Sequence, residues 1–187
     1  MLNQKQLLRD RIIQRRQSLS PDIVAVHSKK ICNRLEQTDL FKASNCVALY
    51  CAIDNEVQTS ELIEAWRTKK QIVLPIISGE NMFFSTYTGK ENLIKGVLGI
   101  AEPISNEIVS PDSIDLFIVP GIAFDYDCNR LGRGKAYYDR YLSHTDKSII
   151  GLCYDFQLLE QIPWEKHDKK MTFVLTESII VSSTTNR

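Results

Sequence analysis

The sequence has no surplus of charge of either sign: 23 Lys and Arg residues stand against 23 Asp and Glu over 187 residues. General nucleic-acid coats and polybasic membrane binders need a large positive excess, so this balance argues against both, although a local basic cluster stays compatible with it. The five cysteines, Cys32, Cys46, Cys51, Cys128 and Cys153, are odd in number and contain no CxxC pair. Neither a zinc knuckle nor a disulfide framework follows from that spacing. They are expected as buried free thiols in a reducing, cytoplasmic compartment. The longest near-apolar run, Leu116 to Phe124, holds Pro120 and Gly121 and falls far short of the ~20 residues that span a bilayer. The N-terminal MLNQKQLLRDRIIQRRQ is charged throughout, unlike a secretory signal. Internal repeats, low-complexity tracts and long linkers are missing. So are a Walker A loop and an intact GxGxxG.

What is present fits a globular chain. Hydrophobic residues make up 43% and charged residues 25%, and the length suits one domain that needs no disulfide or metal staple. Leu7, Leu8, Ile12 and Ile13 recur at helical spacing, with Asn3 as N-cap and Arg9, Arg11, Arg15 and Arg16 on the same helix. Ser20 and Pro21 predict the start of a second helix carrying Ile23, Val24, Val26, Ile31 and Leu35. Thr59 or Ser60 predicts a helix through Leu62, Ile63 and Trp66 that ends in Arg67, Lys69 and Lys70, where cations suit the dipole. A further helix is expected over Gly134 to Leu142. Strands are expected at Cys46 to Ala52, Ile72 to Ile77, Met82 to Tyr87 as an edge, Ser113 to Pro120, Ser148 to Tyr154, and Val174 to Val181. These runs alternate with helices and lack in/out polarity, which predicts a largely parallel sheet covered on both faces.

Ligands of such sheets bind beyond the carboxyl ends of the strands. The strand ending at Val119 leads into Pro120-Gly121 and then Arg130-Leu131-Gly132-Arg133-Gly134-Lys135-Ala136-Tyr137-Tyr138-Asp139. Glycines let backbone approach a phosphate, and free amides at a helix start attract anions. Arg133 and Lys135 add full positive charge, and Asp139 lies one helical turn past Lys135, where it can meet a magnesium ion. On spacing alone this stretch reads equally as a solvated turn with charged ends.

The wider pattern is more specific. The run FDxxxxRLGRGKxYYDRYL resembles the signature of the 5-formyltetrahydrofolate cyclo-ligase (5,10-methenyltetrahydrofolate synthetase) family. Lys5 and Arg9 match an N-terminal KxxLR pattern, and Tyr50, Glu56 and Thr59 a Tyr-x(5)-Glu-x-x-Thr stretch. Gly99-Ile100-x-Glu102-Pro103, Pro163-x-Glu165-x-His167-Asp168 and Thr176-Glu177 follow in the family's order. The resemblance implies a single three-layer αβα domain over residues 1–187, Rossmann-like with a mostly parallel central sheet. It implies a cytoplasmic, ATP-dependent and magnesium-dependent ligase acting on 5-formyltetrahydrofolate. Nucleic acid and membrane are not expected as partners, and the chain is expected as a monomer.

The resemblance also implies roles. Lys5 and Arg9, at i and i+4 on one helical face, would hold ATP phosphates together with the loop Arg130, Leu131, Gly132, Arg133, Gly134, Lys135, Ala136, Tyr137 and Tyr138. Arg133 and Lys135 would act at the transferring phosphate, and Asp139 would bind magnesium. Glu56 would take the pterin's N–H donors, with Cys51 as a wall and Arg133, Gly134, Lys135, Ala136 and Tyr137 also on the folate side. Three positions depart from the pattern: Cys128 and Ala136 replace family glycines, and Thr172 replaces an Asp associated with magnesium. Those departures keep open a folate- or nucleotide-binding protein derived from the enzyme. A sugar-phosphate isomerase or CoA transferase on a related sheet would explain the anion site but not the Lys5/Arg9 pair with Asp139. His27 and His144 are expected at the surface, His167 outside catalysis, and Trp66 and Trp164 in core or pocket wall.

Overall fold

The structure, a computed structural model, describes residues 2–96, 99–104, 107–143, 145–165 and 168–183. In chain order the elements are α1 (Leu2–Gln17), α2 (Pro21–Gln37), α3 (Asp39–Ala43), β1 (Cys46–Ala48), α4 (Ser60–Trp66), β2 (Gln71–Ser78), β3 (Asn81–Thr86), β4 (Leu93–Lys95), β5 (Ala101–Pro103) and β6 (Leu116–Pro120). There follow β7 (Ala123–Asp125), β8 (Arg130–Leu131), α5 (Tyr137–Leu142), β9 (Ser148–Leu152), β10 (Leu158–Leu159), β11 (Phe173–Leu175) and β12 (Ile180–Ser182).

Among the described residues the main sheet has seven strands in the order β12-β11-β9-β6-β1-β2-β3. The inner pairings are all parallel, and the two edge strands are antiparallel. Alternate residues of β6 explain the missing polarity. Leu116 and Ile118 face a cluster with Ile31 and Leu35 of α2, Phe41 of α3 and Leu62 and Ile63 of α4. Phe117 and Val119 face Phe84, Phe124 and Leu142 on the other side. The second covering layer is thin: six-residue α5 and a small sheet ordered β10-β7-β8. Helix α1 packs Leu8 and Ile12 onto Ile122, Ala123, Leu131 and Ile162.

Local chemistry sets the boundaries. Ser20 Oγ accepts the Ile23 N–H at 3.4 Å and Pro21 opens α2, as the sequence predicts. Ile23 and Val26 of that helix nevertheless point to solvent. Asn3 lies inside α1 rather than capping it. Thr59 sits at the start of α4, but its hydroxyl donates to the Tyr50 carbonyl instead of capping. β1 is shorter than the apolar run predicts, because after Tyr50 the chain leaves the sheet and turns through Asp54 and Asn55, both at positive φ. β1 stops opposite Val73, so Pro75 of β2 falls where one side has no strand partner. The Val174 to Val181 run is two strands, a hairpin of β11 and β12.

Two of the family-glycine positions bear on backbone strain. Cys128 and Ala136 both adopt left-handed backbone, with φ of 62° and 54°, where a side chain costs about 1–2 kcal/mol. Elsewhere a glycine is required by contact. A Cβ at Gly151 in β9 would come within 2.3 Å of Cε1 of the fully buried Phe124 ring. Ala136→Gly is therefore expected to stabilise the chain by about 0.5–1 kcal/mol, read as a melting temperature raised by roughly 1–3 °C. Gly151→Ala should cost about 1–3 kcal/mol by overpacking, measured by urea denaturation.

Candidate active site

The parallel strands run β2-β1-β6-β9-β11 across the sheet, so strand order reverses between β1 and β6. Chains leaving those two strands diverge and open a crevice at their carboxyl ends. A cavity of about 470 Å³ lies there, within the usual range for a small-molecule site. Its walls come from the exit of β1 (Tyr50, Cys51, Asp54, Glu56), the end of β2 (Pro75, Ile77), Pro120-Gly121 after β6, the Gly99 to Glu102 turn, and the loop from Arg130 to Asp139.

Asp125, fully buried at the end of β7, shapes the entry to that loop. Its Oδ1 accepts the Asp127 and Asn129 N–H groups at 3.1 and 2.9 Å, and its Oδ2 accepts Asn129 Nδ2 and the Ile162 N–H. The conspicuous aspartate of the FDxxxxR run is thus a loop organiser. Cys128 completes the turn in its left-handed conformation, and burial pushes its thiol up to about 11.

The charges on the cavity wall are arranged in pairs. Glu56 is only 6% exposed. Its Oε1 accepts Arg133 Nη2 at 2.9 Å and Nε at 3.3 Å, while its Oε2 accepts the Ile53 N–H at 3.2 Å. Arg133 Nη1 donates to Asp54 Oδ2 at 3.1 Å, so one guanidinium spans two carboxylates, a geometry its planar fork suits. Arg130 donates from Nη2 to Asp139 Oδ1 at 2.8 Å and from Nη1 to the Pro120 carbonyl at 3.3 Å. Its guanidinium lies 5.4 Å from the Tyr138 ring. Lys135 is exposed and, among the described cations lining the cavity, is the one without an ion pair.

The remaining predicted residues take distinct places. Tyr137 donates to the Gly79 carbonyl at 3.2 Å on the β2–β3 hairpin side, and Tyr138 packs toward Arg130, so adjacent tyrosines border different parts of the cavity. Burial raises the Tyr138 phenol. Cys51 is a partly buried wall residue whose thiol burial pushes up to about 11, which leaves it protonated and unreactive near neutrality. Gly132 and Ala136 line the cavity; Gly134 and Leu131 do not. The Leu131 side chain is core, packed with Leu8 and Ile12.

Lys5 and Arg9 approach from α1 without lining the cavity. Arg9 Nε donates to the Gly132 carbonyl at 2.9 Å, clasping the loop from behind. Lys5 donates to Glu165 Oε1 at 3.0 Å and Asp168 Oδ2 at 3.1 Å. Burial pulls its ammonium down, but the two carboxylates outweigh burial and hold it above its ordinary value. Thr172 stands at the opposite end of the sheet. Its hydroxyl accepts the Ile149 N–H at 3.0 Å beside the start of β9, so it has no access to Asp139.

Asp139 Oδ1 is already spent on Arg130, and no cluster of three metal-ligating side chains exists among the described residues. That donor set does not cage a cation. It fits magnesium carried mainly by nucleotide phosphates and water. His27 bonds Glu177 at 2.8 Å, and His144 and His167 lie outside the described residues. Trp66 packs edge-on to Phe41 in the core, whereas Trp164 is exposed; neither lines the cavity.

Two residues escaped the sequence reading as site residues. Glu102 lines the cavity nearly buried, with Oε1 unpartnered among the described residues, and burial raises its carboxyl. Its signal was the Gly-Ile-x-Glu-Pro turn. Arg16 lies behind Glu56, its Nη1 3.7 Å from Oε1. Its signal was a charge four residues after Ile12 on the buried face of α1.

Comparison with known proteins agrees with this architecture. A sequence model described as the 5-formyltetrahydrofolate cyclo-ligase family matches residues 1–177. The chain is 31% identical to the Escherichia coli K12 5-formyltetrahydrofolate cyclo-ligase over 176 residues, covering 89% of this chain and 97% of that one. It is 29% identical to the mouse protein of the same name, covering 92% and 93%. The solution structure of Aquifex aeolicus 5,10-methenyltetrahydrofolate synthetase superposes with a TM-score of 0.89 at 33% identity, over 98% of this chain and 94% of that one. The Mycoplasma pneumoniae 5,10-methenyltetrahydrofolate synthetase superposes at 0.76 with 26% identity, over 93% and 99%. Matched along nearly its whole length in both sequence and fold, the chain belongs to the 5-formyltetrahydrofolate cyclo-ligase family.

Proposed function

We propose that this protein converts 5-formyltetrahydrofolate and ATP to 5,10-methenyltetrahydrofolate, ADP and phosphate. The observation that carries the reading is the charge order of the cavity at the strand switch point. A nearly buried carboxylate, Glu56, stands at the exit of β1, and Arg130, Arg133 and Lys135 gather on the Gly-rich loop, from which Arg133 reaches Glu56. The first suits side-by-side N–H donors of a pterin, and the second suits phosphates.

The chemistry is the attack of a weak amide nucleophile on an anionic phosphoryl group. The formyl oxygen attacks the γ-phosphorus and the bond to ADP breaks. N10 then adds to the activated formyl carbon and loses its proton, and the carbon–oxygen bond breaks to release phosphate. Positioning and charge stabilisation must supply the rate. Lys135, free of carboxylate partners, is the group available to meet charge developing on the transferring phosphoryl. Arg133 acts at the same place once pterin donors take its partner, Glu56. Arg130 and Arg9 hold the loop, through Asp139 and Gly132 respectively. Lys5 belongs to the nucleotide end, where its two carboxylates set its position. Magnesium, held by Asp139 with nucleotide phosphates, would neutralise phosphate charge. The left-handed backbone at Cys128 and Ala136 supports catalysis over a binding-only role, since a loop shape suited to glycine persists there.

The chain is read as a monomer acting in the cytoplasm on small molecules, with neither nucleic acid nor membrane as partner. No helix among the described residues is long and apolar enough to cross a membrane. The test follows the near-ultraviolet band of the methenyl product in a mixture of protein, 5-formyltetrahydrofolate, magnesium and ATP. An ATP-dependent rise is expected, and a flat trace overturns the reading. Lys135→Ala should lower kcat by about 100-fold or more while calorimetric folate affinity stays within about threefold of wild type. Glu56→Gln should instead raise the folate KM by about 10- to 100-fold, the worth of a charge-assisted pair of hydrogen bonds.

A further inference from the structure

Among the described residues, Arg16 is the largest side chain with no exposure at all. Its Nε, Nη1 and Nη2 have no hydrogen-bond partner among the described residues. Helical spacing from Leu8 and Ile12 asks for an apolar residue there, and burying a charge without hydrogen bonds costs several kcal/mol. The nearest carboxylate is Glu56, whose Oε1 lies 3.7 Å from Arg16 Nη1. The contact is fixed from both sides. Asn55 Nδ2 donates to the Arg16 and Leu19 carbonyls at 3.3 and 3.4 Å, tying the end of α1 to the turn that carries Glu56.

Glu56 therefore stands between two cations of different character. Arg133 belongs to an exposed loop and holds Glu56 by direct hydrogen bonds. Pterin donors that claim the same oxygen must displace it. Arg16 is enclosed by protein and cannot follow. Burial pushes its guanidinium below its ordinary value, and the Glu56 charge opposes that fall.

We infer that Arg16 is a positioning residue for folate: the fixed counter-charge behind Glu56 that keeps this carboxylate aimed into the cavity after Arg133 leaves. The inference rests on the reading of Glu56 as the pterin-binding group. It assigns substrate recognition to the same helix that carries Lys5 and Arg9 toward the loop, with about 16 Å of rigid helix between Lys5 and Arg16.

The test compares Arg16→Met and Arg16→Lys in the wild-type and Glu56→Gln proteins, measuring both KM values, kcat and melting temperature. Arg16→Met should raise the folate KM by about 20-fold or more and leave the ATP KM within about twofold. Its melting temperature should fall, because buried Glu56 is left with one counter-charge fewer; a purely structural arginine would lower it equally but spare the KM split. Arg16→Lys should recover most of the folate KM. On Glu56→Gln, Arg16→Met should add less than about twofold, since its target has gone. An unchanged folate KM in Arg16→Met with an impaired Glu56→Gln overturns this inference alone. So does full additivity of the two substitutions. An unimpaired Glu56→Gln overturns the pterin reading and this inference together. If Arg16→Met does not fold, Arg16→Gln replaces it under the same expectations.

Discussion

The contact of Glu56 with Arg133 in front and Arg16 behind joins three distant stretches of chain: the first helix, the exit of β1 and the Gly-rich loop. A carboxylate this enclosed is tolerated only with compensating charge and hydrogen bonds. The compensation dictates much of the surrounding structure. The turn through Asp54 and Asn55 presents the Ile53 N–H to Glu56, and Tyr154 donates its hydroxyl to the Glu56 carbonyl at 3.2 Å. Both flanks of the site are thereby referenced to a single side chain.

The sheet explains why those stretches meet. Strands buried on both faces leave only their ends for polar chemistry, and the reversal between β1 and β6 leaves a gap at one end. The gap receives the β1 exit, the Pro120-Gly121 turn and the loop after β8. The same burial forces the close fit of Phe124 against Gly121 and Gly151, since no other space remains between the main sheet and its thin outer layer.

Hydrophobic runs made most strands legible, and capping chemistry made the start of α2 legible. Boundaries failed where a side chain had a second use. Thr59 looks like a cap but serves Tyr50, and α5 begins at Tyr137 because Ala136 holds left-handed backbone that no helix continues through. The Arg130 to Asp139 loop was visible from its glycines and charges, and Glu56 through resemblance. Arg16 was hidden because its sequence neighbours made it one basic residue among several on α1. Which arginine turns inward is decided by packing against residues far along the chain. Thr172 shows the converse: a motif position cannot report which end of a sheet it occupies, and here it occupies the end away from the cavity.

The Lys5 clasp on Glu165 and Asp168 ties the beginning of the described chain to a segment 160 positions later. Protein synthesis proceeds from one end, so α1 emerges well before these partners. At about 5–20 residues per second, that helix waits roughly 10–30 s before these carboxylates exist. During that interval the basic face of α1 has no native acidic partner from this region. The clasp is thus a late event in the birth of the molecule, and the start of α1 gains these contacts only after Glu165 and Asp168 have been made.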